Sequence, residues 1–181
     1  GAAAGNWHSV FSDGEGRLSS CGSESMFTPG LLGHGDEVTR LNTPTRLPSP
    51  LGERAVSVSA RPFHTLALAA DGAVWSWGRG GFGQLGHGDG QNQLLPKKVE
   101  GLAGQRAIAV SAGSAHNLAL TADGAVWSWG EGALGQLGHG DTQNQLLPKK
   151  VEALAGQRVV AVSAGAHHSL GLTASGAVWS W

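Results

Sequence analysis

The chain has 181 residues and a formal net charge of −1, with 12 Lys and Arg against 13 Asp and Glu. This balance, without a cluster of basic residues, argues against nucleic-acid binding, and a single cysteine, Cys21, excludes an internal disulfide or a cysteine-based zinc site. The start of the chain lacks the features of a signal peptide, and no apolar run approaches the roughly 18 residues of a membrane span. The composition therefore predicts a soluble intracellular protein, with cytoplasm and nucleus left open.

Residues 1–71 form an irregular copy of a unit that returns later in the chain. The segment Gly33-His-Gly-Asp36 precedes its next copy by 53 residues, and His8 precedes His64 by 56. These offsets indicate small insertions in the first unit, one of them in the loop at 23–32.

Two regular units follow, at 72–123 and 124–175, and 176–181 begins another. About 40 of the 52 positions are identical between the two regular units. Internal repeats at such a period are typical of propellers and solenoids.

Each unit predicts β-structure. Alternation is visible in Ala107-Ile-Ala-Val-Ser111 and in His116-Asn-Leu-Ala-Leu-Thr121. The Asp71-Gly72 pair is typical of a tight hairpin, because glycine accepts a positive φ without a Cβ clash. A strand rich in β-branched and aromatic residues follows each hairpin. Four short strands per unit favour a propeller blade or a solenoid coil.

The repeated words resemble the RCC1 (regulator of chromosome condensation) repeat family. The resemblance rests on Val-Ser-Ala-Gly-x-x-His-x-Leu-x-Leu-Thr, on Gly-x-Val-x-Ser-Trp-Gly and on Gly-Gln-Leu-Gly-His-Gly-Asp, and it covers nearly the whole chain. It implies a seven-bladed ring of four-stranded blades. The sequence is thus expected to form an all-β, RCC1-like β-propeller fragment across 1–181, a partial ring of about 3.5 blades that belongs to a larger protein or complex.

The recurring aromatic and histidine side chains are interpreted as structural. Large tryptophans in strands are expected to pack between blades, and a histidine in every blade is expected to be a buried hydrogen-bonding tie. These structural candidates are Trp75, Trp77, Trp127, Trp129, Trp179, His64, His116 and His168. A light-sensing member of the family places its sensing Trp in a Gly-Trp-Arg-His-Thr word. The positions that match this Trp are Pro62, Ser114 and Ala166 here, so the sequence does not predict a photoreceptor.

The sequence predicts no enzyme, no cofactor and no metal. His87 and Asp89 of the Gly-His-Gly-Asp word could pair, but an Asx turn explains the aspartate. The Gly-rich stretch after Trp77 opens no helix, so it lacks the N-terminal dipole of a phosphate loop.

Differences between the two regular units are the best candidates for partner binding. They concentrate in the loop after the Trp strand, where a rigid scaffold usually presents binding residues. The candidates are Arg79, Phe82, Glu131 and Leu134. Neutral drift of a solvent-exposed loop explains the same differences equally well.

Three functions are compatible with this sequence. The first is a non-enzymatic protein–protein interaction scaffold, since the regular spacing resembles the RCC1-like domains of HERC-type ubiquitin ligases, whose chemistry lies in a separate domain. The second is a guanine-nucleotide exchange factor for a Ran-like small GTPase, which the founding member of the family implies. The third is a structural subunit of a large assembly. The expected partners are proteins, such as a small GTPase or a ubiquitin-pathway protein.

Overall fold

The computed structural model describes residues 1–24, 28–36, 38–48 and 54–181, which form four consecutive antiparallel sheets. The first sheet contains β1 (Ala2–Ala4), β2 (His8–Ser12), β3 (Leu18–Ser23) and β4 (Arg40–Arg46). The second contains β5 (Ala55–Ala60), β6 (His64–Ala69), β7 (Val74–Gly78) and β8 (Gln93–Lys98). The third contains β9 (Ala107–Ala112), β10 (His116–Thr121), β11 (Val126–Gly130) and β12 (Gln145–Lys150). The fourth contains β13 (Val159–Ala164), β14 (Ser169–Thr173) and β15 (Val178–Ser180).

The strands of every sheet are hydrogen-bonded in chain order, as in propeller blades. The first strands β1, β5, β9 and β13 contact one another in succession, so the sheets are arranged radially around a common axis. The predicted all-β fold with four-stranded blades is confirmed. The described residues form three four-stranded sheets and one three-stranded sheet, close to the predicted 3.5 blades.

The second, third and fourth sheets start at positions 55, 107 and 159, so the 52-residue period is kept. Each sheet begins with its innermost strand, whereas the sequence units were divided just before the Trp strand. The predicted insertion at 23–32 falls partly on residues 25–27, which lie outside the described residues. Helical structure in the described part of the chain is confined to two 3₁₀ turns, Glu100–Leu102 and Glu152–Leu154.

The hairpin between β6 and β7 forms where the Asp-Gly pair predicts it. Gly72 adopts a φ of +91°, and its N–H donates to Ala69 O at 3.0 Å. The Asp71 carboxylate accepts from the Ala73 N–H at 2.8 Å, which closes the turn. A residue with a Cβ would be strained at this backbone angle, so the glycine sets the hairpin that aligns β7 with β6.

The hydrophobic core is divided into three clusters, each of which lies between two neighbouring sheets. Between the second and third sheets, Trp129 packs with Leu66, Leu68 and Val99. Equivalent clusters join the first sheet to the second and the third to the fourth. Because the apolar faces meet only between sheets, each sheet depends on its neighbours for burial.

Candidate interaction face

A chain of buried histidines ties each sheet to the next. His8 Nε2 lies 2.8 Å from Thr65 Oγ1, His64 Nε2 lies 2.6 Å from Asn117 Oδ1, and an equivalent bond of 3.0 Å joins His116 Nε2 to the hydroxyl of Ser169. In each case the partner is the residue that follows the histidine position of the next sheet. The three buried members of the series, His8, His64 and His116, therefore connect neighbouring sheets.

The hydrogen-bond partners define the tautomer of these imidazoles. Asn117 donates its amide to Gln84 O at 2.6 Å, so Asn117 Oδ1 is left to accept from the protonated Nε2 of His64. Burial lowers the pKa of His64 to about 4 and that of His116 to about 4. Both rings are therefore neutral Nε2–H tautomers at physiological pH.

His168 differs from the other members of the series because it is exposed. Within the described residues no further sheet lies against β14 to bury it. The same position in the fold explains why Trp179 is 42% exposed. Trp75 and Trp127, its counterparts in the preceding sheets, are partly buried against the clusters between sheets, where Trp77 and Trp129 are fully buried.

The Gly-His-Gly-Asp words hold the loops and do not form acid–base pairs. Ser76 Oγ donates to Leu85 O at 2.7 Å and lies 3.0 Å from His87 Nε2, so the hydroxyl accepts from that ring. Asp89 accepts from the Gln91 N–H at 3.0 Å in the predicted Asx turn. No group of three potential metal-ligating side chains occurs among the residues that the structure describes.

The loops that follow β7 and β11 are supported from within by amide side chains. In the first loop, Asn92 Oδ1 accepts from the Gly80 N–H at 2.9 Å, and Gln84 Oε1 accepts from the Phe82 N–H at 2.9 Å. The second loop repeats both bonds through Asn144 and Gln136. Sequence reasoning missed these residues, although their exact recurrence in both units was visible.

The four predicted interface residues lie on these two supported loops. Phe82 and Leu134 are 36% and 67% exposed. Arg79 lies over the rings of Phe63 and Phe82, with its guanidinium carbon 5.5 Å and 5.7 Å from their centroids. These positions share one end of the sheets, since Arg79 N–H donates to Phe63 O in the turn before β6. This end, with the two loops and the turns before the buried histidines, is called the loop face below.

Arg61 marks the centre of the loop face and was not predicted as a site residue. It stands where the third and fourth sheets have Gly113 and Gly165. Its guanidinium donates to Ala112 O at 2.9 Å and to Ala164 O at 3.1 Å, which joins β5 to the innermost strands of both following sheets. The departure from glycine at this position was the available sequence signal.

The Glu131 side chain accepts a hydrogen bond within its loop, whereas the equivalent Arg79 side chain lies over two aromatic rings. Gln136 Nε2 donates to Glu131 Oε2 at 3.3 Å, so Glu131→Ala is expected to lower the free energy of unfolding by about 1 kcal/mol. Urea denaturation measures this change. Arg79→Ala is the matched control, because it removes stacking contacts but no hydrogen bond and is expected to cost about 0.5 kcal/mol. Equal stability of Glu131→Ala and the unmodified chain would contradict the assignment.

The geometry defines a class of protein: a repeat propeller whose sheets are tied rigidly together and whose loop face is exposed. Family comparison agrees, since the model of the regulator of chromosome condensation (RCC1) repeat matches residues 71–120 and 123–172. A second model of the same repeat matches residues 55–84 and 107–136. The chain belongs to the RCC1 repeat family.

Several characterised proteins are similar in sequence over most of this chain. The E3 ubiquitin-protein ligase HERC2 of Homo sapiens is 39% identical over 180 residues, which are 98% of this chain but 4% of the ligase. The ultraviolet-B receptor UVR8 of Arabidopsis thaliana is 42% identical over 153 residues, or 84% of this chain and 34% of the receptor. The chain thus spans only a small part of these relatives.

Solved structures confirm the fold. Human WBSCR16 superposes with a TM-score of 0.86 at 24% identity, covering 100% of this chain and 46% of that protein. Prp20p of Saccharomyces cerevisiae, which has been studied for its binding to Gsp1p and histones, superposes with a TM-score of 0.83 at 25% identity over 94% of this chain and 42% of Prp20p. In the described residues, no helix is long and apolar enough to span a membrane.

Proposed function

We propose that the chain is a non-enzymatic protein-interaction scaffold that works as part of a larger protein or complex. The observation that supports this proposal is the contrast between a framework that repeats from sheet to sheet and loops that differ. The bonds made by His64, Asn92 and Gln84 recur in the next sheet. The loops that these bonds hold nevertheless differ in charge and size, since Arg79 and Phe82 in one loop are replaced by Glu131 and Leu134 in the other. A rigid framework that presents different side chains at equivalent positions is suited to selective binding.

The composition of the loop face supports binding to a protein. It exposes Trp7, Phe82 and Leu134, at 65%, 36% and 67%. The same face carries Arg61 and Arg79, and the Arg79 guanidinium lies over the Phe82 ring. Aromatic and arginine side chains are enriched among residues that dominate protein interfaces. The catalytic reading has no comparable support, because the histidines of the chain form structural hydrogen bonds wherever they are buried.

The scaffold proposal predicts that partner capture depends on the loop face. A variant with Arg79, Phe82, Glu131 and Leu134 all replaced by alanine is expected to lose proteins that the unmodified chain retains from cell extract, as measured by quantitative mass spectrometry. The matched control replaces the lysines of β8 and β12, Lys97, Lys98, Lys149 and Lys150, with glutamine. Retention of the same partners by the loop variant, or their loss in the lysine variant, would contradict this proposal.

Guanine-nucleotide exchange on a Ran-like small GTPase is the second candidate, and the structural similarity to Prp20p favours it. A nucleotide-release assay distinguishes the two proposals. The scaffold predicts no acceleration of release, whereas an exchange factor accelerates it in proportion to its concentration.

A further inference from the structure

The loops after β7 and β11 contain the same buried glutamine, but only one loop supplies it with a carboxylate. Gln136 Nε2 donates to Glu131 Oε2 at 3.3 Å. In the other loop Arg79 occupies the position of Glu131, and Gln84 Nε2 is buried without a hydrogen-bond partner. A buried donor without an acceptor is destabilising. The Arg79 loop therefore lacks an acceptor that its neighbour contains.

The Arg79 side chain adds a positive charge at the same place. Its guanidinium carbon lies 5.5 Å and 5.7 Å from the ring centroids of Phe63 and Phe82, and it forms none of the ion pairs found among the described residues, all of which involve Arg17. A cation–π contact leaves the N–H groups of a guanidinium able to donate to a carboxylate. The loop thus holds a guanidinium that takes part in none of these ion pairs, together with an amide whose donor is unpaired.

We infer that the Arg79 loop binds a carboxylate side chain of a partner protein, which takes the place that Glu131 occupies in the neighbouring loop. This inference rests on the proposed scaffold function and names the chemistry of its partner. Phe82 and Leu134 expose apolar surface on the two loops. The partner is therefore expected to carry a large apolar side chain next to its carboxylate, which packs on this surface. The partner motif is therefore an Asp or Glu next to a large apolar residue.

The carboxylate contacts Arg79 first, because Gln84 is fully buried in the free chain. The Gln84 amide becomes its second donor once the loop rearranges far enough to uncover it. A nucleic-acid phosphate would also pair with an arginine, but the chain has neither a net positive charge nor the clustered basic residues that such binding requires. The internal precedent is a carboxylate, that of Glu131.

The test selects binders from a random linear peptide library displayed on phage, with the unmodified chain as bait. The recovered peptides are expected to share an Asp or Glu next to a large apolar residue. Arg79→Glu is expected to weaken the best peptide roughly tenfold or more, because it replaces an attractive charge with a repulsive one. The thermal midpoint of this variant is expected to equal or exceed that of the unmodified chain, because the new carboxylate can accept from Gln84 as Glu131 does from Gln136.

Arg79→Met removes the charge without adding another and is expected to weaken the same peptide. Lys97→Gln on β8 is the control, because it removes a positive charge outside the two loops, and it is expected to leave peptide affinity unchanged within about twofold. Unchanged binding to Arg79→Glu, or unchanged affinity after the peptide carboxylate is replaced by its amide, would overturn the inference but leave the scaffold proposal standing. If the unmodified chain selects no peptide and retains no partner from extract, both proposals fail.

Discussion

Replacement of Trp129 by alanine is expected to lower the free energy of unfolding by about 3–5 kcal/mol, the usual cost of deleting a large buried aromatic side chain. Trp129 is 0% exposed and packs against Leu66, Leu68 and Val99 of the preceding sheet. Its indole N–H also donates to Gln84 O at 3.0 Å. The substitution therefore opens a cavity between two sheets and removes a hydrogen bond that joins them. Urea denaturation followed by far-ultraviolet circular dichroism measures the change.

The control is Trp7→Ala, since Trp7 is 65% exposed, and its expected cost is within about 0.5 kcal/mol, as for most surface substitutions. Trp77→Ala is expected to resemble Trp129→Ala, because Trp77 is equally buried between the first and second sheets and donates to Leu31 O at 3.2 Å. If Trp129→Ala costs less than about 1 kcal/mol, the packing between sheets does not provide the stability assigned to it here.

The chain is expected to lose stability steeply as the pH falls from 6.5 to 4. Burial lowers the pKa of His8, His64 and His116 to about 4 in each case. The unfolded chain, in which histidine titrates near 6.5, therefore binds more protons in this window, and protonation favours unfolding. A full shift of this size contributes about 3 kcal/mol per histidine. Three such groups together approach the whole stability of a typical domain, about 5–15 kcal/mol.

Tryptophan fluorescence and urea midpoints measured between pH 8 and pH 4 test this expectation. Stability is expected to be nearly constant above pH 7 and to fall below pH 6.5. Burial raises the pKa of Glu24, which acts in the opposite direction, but this group is a single carboxyl. His116→Gln is expected to reduce the slope of stability against pH, because it removes one of the three buried groups. A flat profile in the unmodified chain would refute the neutral buried state of these histidines.

The fold was largely predictable because each local signal points in the same direction. The Asp-Gly pairs, the alternating strands and the β-branched and aromatic strand before each loop all act over a few residues, so they are visible without any tertiary information. The period of 52 residues then determined how many such units follow one another. The blade boundaries were less visible, since repeat identity defines a period but not the strand at which a sheet starts.

The candidate site was predicted only in part. The loop differences at Arg79 and Glu131 were visible as substitutions between repeats. Their consequence depends on Gln84 and Gln136, which occupy the same place in the repeated Gly-Gln-Leu-Gly word and differ in whether a carboxylate reaches the amide. Residue type gives no indication of an unpaired donor, because pairing is a matter of distance and orientation.

The sequence by itself determined the all-β repeat architecture, the family and the positions at which successive units differ. The tertiary structure decided which residues connect the sheets, since His64 reaches Asn117 and Arg61 reaches Ala164 only after separate sheets have packed side by side. Turns and strands are specified by short-range sterics and hydrophobic periodicity, whereas these two bonds join residues 53 and 103 positions apart. Those contacts exist only in the folded arrangement, which also leaves the buried amide of Gln84 in the Arg79 loop without an acceptor.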